Sequence, residues 1–472
     1  MWGNMSISID LGREVVDKAM EKGAREVVVR LQERLYELVM FDSGMLRSYN
    51  ISRGSGIGIK VVVDGSIGYS YTSSLDRDSI SIAIDRAILA AKSLNKYGVS
   101  RKLYEYRGVK GGYRVIAKVN PLDDVEPERK IDLVKKLNIE SIKRSGIVSA
   151  VTRYGCEIDR RVIVSSYGSE IDIEVIAVGV SHMAVAKSGE VMERVQEQKS
   201  FIGGFEYIDY FDWIKFAEEI DNMAIKASEA KTPSPGIYTA VIDNMLIGLL
   251  LHEAFGHAAE GDGVVAEASI LRGRVNERVA NDLVTIVDEG VVEGGYPVPY
   301  DDEGVEKSKT IVVDNGILKH FLNSRYTAVE LRQNPTGNAR AQDVTFDAIV
   351  RQTNFYMLPR DASIDELFEN VSNGVYLLGR GAMGGQVDPS VGTFTFSVGP
   401  SYIVRGGEVS ELVRGTIVSG NILEVLKDVE LVAKDVKIYT SVFGGCGKGG
   451  QMVRVGMGGP HIKVKRIIVG GV

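Results

Sequence analysis

The chain has 472 residues, a formal net charge of −7, 44% hydrophobic and 25% charged residues, the balance of a soluble globular protein with room for two to three domains. The acidic balance and the lack of a long Lys/Arg run argue against nucleic acid as the main partner, since such binding relies on clustered cations. Two cysteines, Cys156 and Cys446, are too few for a secreted disulfide framework, and the apolar run "MLIGLLL" is too short to span a bilayer; with no apolar signal-like region ahead of the first charges, a cytoplasmic location without a membrane partner is expected.

Apolar spacing over residues 15–20 and 79–91 fits amphipathic helices. Between them, "REVVVRLQERLYELVMFD" and "GIGIKVVVDGSIGYSYTS" read as strands, the second folded into a hairpin at "VDGS". "PERKIDLVKKLNIESIKR" predicts a charged amphipathic helix. A meander of antiparallel strands, punctuated by glycines, is expected from "AVTRYGCEIDRR" to "KSFIGG", closed by a helix over "DYFDWIKFAEEIDNMAIKASEA". "KTPSPG", residues 231–236, has the composition of a linker. Beyond it, "IYTAVID" reads as a strand, an apolar helix follows, and the rest is strand-rich except for a helical interlude at "SIDELFENVSNG". The expectation is an α+β protein of two domains with mixed and antiparallel sheets, residues 1–235 and 236–472, the second carrying one metal-binding helix.

That helix is "LLLHEAFGHAAEGD". Neutral imidazoles are common metal ligands, and the familiar H-E-x-x-H spacing of four puts both on one helical face. Here His252 and His257 are five apart, which on an ideal helix separates them by about 140°. A shared ion therefore requires a local irregularity such as a π-bulge, for which Gly256 is a tolerant residue. A catalytic zinc takes about three protein ligands and leaves one position open. Cys446, in the glycine-rich "SVFGGCGKGGQ", is the foremost candidate for the third, with His461 in "GGPHIK" as runner-up or hydrogen-bond donor. Glu253 follows a ligand directly, so its carboxylate can serve as general base toward a metal-activated water and then protonate a leaving amine. Glu260, three residues after His257, is a candidate hydrogen-bond partner for a ligand. His182 lies in a strand and His320 is expected to face solvent. Cys156 reads as a small buried apolar group. "YDDEG" at 300–304 reads as a solvated turn, and "NPTGNAR" at 334–340 as an ordinary turn loop.

Several segments occur in one order: "LLHEAFGHAAEGD", "DDEG", "NPTGNAR", "NFYMLP", "GGQVDPSVGTFTFS" and "CGKGGQMVRVG". Together they resemble the TldD branch of the TldD/PmbA (TldE) family, historically called modulators of DNA gyrase. The resemblance is strong in the C-terminal half and looser in the N-terminal half, through "RGSGIGIKVVVDGSIGYSYTSSLD". It implies a zinc-dependent peptidase in which His252, His257 and Cys446 match the metal ligands and Glu253 the catalytic glutamate, favouring Cys446 over His461. It also implies dimers, either of this chain or with a TldE/PmbA-like paralogue lacking the metal motif, and substrates that are short or unfolded peptides held extended. Two other readings stand beside it: a peptide-binding module with a zinc closed by a fourth side chain, and a DNA-associated regulator. His461, Arg340 and Tyr356 are the candidates for steadying an oxyanion.

Overall fold

Buried side chains recur along most of the N-terminal strands, and four of these strands are long enough to serve more than one core. In the computed structural model, which describes residues 7–471, helix α1 (Ile9–Glu21) precedes β1 (Glu26–Asp42), β2 (Met45–Val63) and β3 (Ser66–Thr72). Then come α2 (Arg77–Lys96), β4 (Lys110–Arg114), α3 (Pro127–Ile142), β5 (Ile147–Ser165), β6 (Glu170–Ser188), β7 (Val191–Ile202), α4 (Glu206–Tyr210) and α5 (Trp213–Glu229). The strands make one seven-stranded sheet in the order β3-β2-β1-β5-β6-β4, with β7 also paired to β6. Only β4 runs parallel to its neighbour. Toward one end, Val29, Leu31, Ile59 and Val162 pack beneath α1 and α2. Toward the other, Val39, Tyr154, Val178 and Ala184 pack beneath α3 and α5.

The expected hairpin between β2 and β3 turns at Asp64 and Gly65, both left-handed (φ +50° and +81°), the backbone that an Asp-Gly pair favours. The glycines of the meander divide into two kinds. Gly168 and Gly189 do turn the chain (φ +100° and +56°). Gly155 and Gly179 instead face each other inside β5 and β6. Gly155 is needed for close approach: a Cβ there would meet the Phe443 ring at 2.8 Å.

β8 (Gly236–Ile242) follows "KTPSPG" and runs inside a nine-stranded mixed sheet, between Asn373–Leu377 and Ile462–Gly471. The next helix, α6 (Asn244–Leu250), is capped by Asp243, whose carboxylate accepts the Leu246 N–H at 2.7 Å. Leu246, Ile247, Leu250, Leu251 and Phe255 are fully buried in the C-terminal core, which is why this segment shows no polar face. Gly248 lets α6 lie on the strand Gly456–Gly459, because a Cβ would overlap the Gly458 backbone at 2.6 Å. That strand belongs to a second, six-stranded sheet, so the helix is held between two sheets. The fold is α+β, and among the described residues no helix is long and apolar enough to cross a membrane.

Two local expectations need correction. "SIDELFENVSNG" is helical only over Ile364–Phe368, started by a Ser363/Glu366 capping box; from Gly374 the chain pairs with β8, where Gly374 fits against the Thr239 carbonyl. The "YDDEG" turn is buried, with Asp301, Asp302 and Glu303 only 1%, 5% and 3% exposed. Asp302 pairs with Arg161 on β5 at 3.1 Å and Arg30 on β1 at 3.6 Å, and Glu303 pairs with Lys60 on β2 at 3.0 Å. The turn is thus a clasp onto the N-terminal sheet, and its counter-charges lie far away in sequence. "NPTGNAR" is a loop, as read, and its end is buried: Asn338 is inaccessible and donates to the Asp288 carboxylate at 2.7 Å and the Arg351 carbonyl at 2.8 Å.

Candidate metal centre

Past Leu250 the α-helix widens. Leu251–Gly256 form a π-helical turn and His257–Ala259 a tight 3₁₀ turn. This is the irregularity that the five-residue spacing demands, and it brings the two imidazole centroids to 5.3 Å. Gly256 itself has ordinary helical backbone (φ −62°, ψ −44°). Its smallness serves contact instead: a Cβ would overlap the Gln352 side-chain amide, whose Nε2 donates to the His252 carbonyl at 3.0 Å. Gly256→Ala is expected to displace Gln352 and cost about 1–3 kcal/mol, the usual scale of overpacking. Urea unfolding checks this, and an unchanged midpoint would show that Gln352 yields freely.

Cys446 arrives from the other end of the chain. It opens the strand Cys446–Lys448, paired with Gln451–Val453 across a turn in which Gly449 and Gly450 are both left-handed (φ +58° and +73°). The loop before it is seated on the N-terminal sheet: Phe443 packs over Gly155, and the Val442 N–H donates to the Ser200 hydroxyl at 3.0 Å. The Arg351 guanidinium donates to the Cys446 carbonyl. So placed, the Cys446 sulfur lies 3.3 Å from His257 Nε2, across 189 residues of sequence. One donor atom from each of His252, His257 and Cys446 lies within 4.8 Å of the other two.

His252 and Cys446 are buried, and both ring nitrogens of His252 are buried without a hydrogen-bond partner among the described residues. A buried imidazole left this way bears an uncompensated desolvation cost, which coordination of a cation relieves. Two imidazoles and a thiolate are a donor set suited to a borderline-soft divalent ion, so these residues fit a metal. Burial would raise the Cys446 thiol, but the His252 and His257 imidazoles outweigh it and bring the thiol down to about 4. Burial likewise opposes charge on His257, yet the Glu260 carboxylate and the Cys446 sulfur raise it to about 11.

Glu260 holds this arrangement from behind. Its Oε2 is 2.9 Å from His257 Nδ1 and 2.8 Å from Lys448 Nζ, while Oε1 accepts the Gln352 N–H at 3.3 Å. Fully buried, it would be pushed up; His257 and Lys448 instead hold it at about 2. Lys448 also reaches Asp262 at 2.6 Å, tying the cysteine hairpin to the histidine helix. Glu253 stands at the accessible side, 34% exposed, with its carboxylate 3.8 Å from His257 Nε2.

The other sequence candidates lie outside the cluster. His461 is engaged at both nitrogens, with Asp435 at 2.7 Å and the Tyr376 hydroxyl at 3.0 Å. Tyr356 donates to Glu289 at 2.6 Å. Arg340 donates to the Gln352 and Arg454 carbonyls, each at 2.6 Å. His182 is buried between Thr152 and Asp221, His320 is exposed, and Cys156 is buried. Sequence reasoning missed Gln352, Arg351 and Lys448. Lys448 carried a signal, since residues two apart on a strand share a face and Cys446 is two before it; Gln352 and Arg351 carried none.

Family models described as PmbA/TldA metallopeptidase match residues 27–91 (domain 1), 120–229 (central domain) and 235–471 (C-terminal domain). A metalloprotease of Archaeoglobus fulgidus is 36% identical over 446 residues, covering 94% of this chain and 99% of that one. A zinc metalloprotease TldD homolog of Saccharolobus solfataricus is 32% identical over 460 residues, covering 97% and 99%. The crystal structure of TldE from Thermococcus kodakarensis shares the fold at 19% identity, with a TM-score of 0.77 over 98% of this chain and 100% of that one. With its three domains matched and such relatives aligned almost end to end, the chain belongs to the PmbA/TldD metallopeptidase family, among its TldD-type peptidases.

Proposed function

We propose that the protein hydrolyses short or unfolded peptides bound in extended form, using Zn²⁺ held by His252, His257 and Cys446 and Glu253 as general base. The convergence of a π-turn and a remote cysteine within 4.8 Å carries this reading. When bound, the ion supplies Lewis acidity, polarising the scissile carbonyl and lowering the pKa of the attacking water. Glu253 takes the proton of that water on its carboxylate and gives it to the departing amine nitrogen. Glu260, through Nδ1 of His257, fixes the ring so that Nε2 faces the cluster. The orphaned nitrogens of His252 leave it free for coordination.

Support for an extended substrate comes from the strand Gly384–Asp388. It is an edge strand of the nine-stranded sheet, and it lies against the π-turn. A peptide that adds to such an edge binds through its backbone, which gives breadth of sequence and excludes folded proteins. The N-terminal residues 1–235 then enclose substrate and supply dimer contacts, and residues 236–472 supply the chemistry. The partner is a second copy or a TldE/PmbA-like paralogue. A non-catalytic site closed by four protein ligands would need a fourth donor; His461, its foremost candidate, has both nitrogens occupied elsewhere.

The test is metal analysis of the purified protein together with digestion of a peptide library, with and without chelator. Stoichiometric zinc and cleavage that chelator abolishes and zinc restores are expected. Cleavage that survives complete metal removal would overturn the proposal.

A further inference from the structure

A cavity of about 240 Å³ lies where the N-terminal sheet meets the C-terminal half. Its walls hold an uneven set of charges. Glu157 is shared by Arg34 and Arg454, the latter with Nε and Nη2 at 3.2 and 2.9 Å. Asp159 and Asp302 are shared by Arg161, at 2.9 and 3.1 Å, and Asp302 is further bound to Arg30. Arg340 is left over. It is 6% exposed and, among the described residues, forms no ion pair. Among the described residues its guanidinium makes two hydrogen bonds, both to carbonyls, out of the five donors such a group carries. Burial first, then the neighbouring Arg161 charge and, less, Arg351 lower it to about 10, against the opposing pull of the Asp302 carboxylate. Its nearest counter-charge, Asp302, is already shared by Arg161 and Arg30, so this buried cation is poorly compensated, and it lines a cavity that the half-exposed Met452 also lines.

The cavity is also joined to the metal centre. The carbonyl that accepts from Arg340 Nη1 belongs to Gln352, whose side chain holds the His252 carbonyl. The carbonyl that accepts from Nη2 belongs to Arg454, next to Val453, the strand partner of Cys446. Val298, Pro299 and Val175 give the cavity apolar walls that suit an aliphatic stem.

We propose that this cavity is a carboxylate subsite, in which Arg340 receives a carboxylate of the peptide, either its C-terminus or an Asp/Glu side chain. The inference rests on the peptidase reading for its ligand. A planar guanidinium with donors to spare is the group that recognises a carboxylate in a fixed orientation. A peptide lodged there is anchored on the hairpin that carries Cys446, which limits where along its length the cut falls.

The experiment uses matched peptides on the full-length zinc-loaded protein: free C-terminus against C-terminal amide, and interior Glu against Gln. Binding is read by calorimetry on Glu253→Gln, and kcat/KM on the unaltered enzyme. One pair is expected to differ by at least about tenfold in favour of the acid, the scale of a hydrogen bond to a charged group; the pair that differs identifies the source of the carboxylate. Arg340 supports two carbonyls, so its replacement can disturb the fold. Met452→Glu instead adds a negative charge at the half-exposed rim, and should erase the preference while the amide and Gln peptides bind as before. Equal binding within both pairs, no binding of any peptide, or a preference untouched by Met452→Glu each overturns the subsite. Loss of cleavage with the binding preference intact would count against the catalytic reading and leave the subsite standing.

Discussion

Glu253→Ala is expected to retain its metal and lose peptide cleavage by about 10²- to 10⁴-fold, the range supplied by general acid–base groups. Glu253 is not among the three clustered donors, and its side chain is one-third exposed. Truncating it therefore removes no proposed ligand and opens no core cavity. What goes is the carboxylate nearest His257 Nε2 on the accessible side. Metal content and kcat are measured on the same preparation. An unchanged kcat would remove Glu253 as the base, and a loss of activity matched by a loss of metal would recast it as a ligand.

Cys446→Ala should lower zinc affinity by more than about 100-fold, the upper end of what losing a mere supporting partner costs a metal site. The remaining imidazoles are two donors, fewer than the three that a catalytic zinc takes. The hairpin should persist, because Lys448 still bonds Glu260 and Asp262, and Arg351 still holds the residue 446 carbonyl. Competition with a chromophoric chelator measures the affinity, and activity should fall with occupancy. An unaltered affinity would mean that the sulfur is not a donor.

The donor cluster was legible because histidine is scarce and the spacing was wrong for a straight helix: five residues between His252 and His257 required a distortion, and a π-turn is there. Gly256 was flagged for the wrong reason, since its backbone is regular and its neighbour Gln352 is what needs the space. The long strands, the β2–β3 hairpin and the main helices followed from period-2 and period-3.6 patterns. "YDDEG" reads as solvated but is buried, because local polarity implies exposure only when no partner waits elsewhere; "NPTGNAR" is a loop whose buried end has the same origin. Asp302 meets Arg30 and Arg161, and Asn338 meets Asp288; no window around residue 302 or 338 contains these groups. Long-range pairing of charges is the part of this fold that composition and periodicity do not encode.

The seating of Phe443 over Gly155 has a thermodynamic corollary. One proposed ligand rides a loop braced on the N-terminal sheet, and the other two ride a helix inside the C-terminal core, so an ion that joins them ties that helix, by way of the loop, to its junction with the N-terminal sheet. By linkage, whatever strengthens that junction strengthens ion binding by the same factor, and the ion strengthens the junction in return. Chelation should accordingly loosen the seam between the halves before either sheet melts.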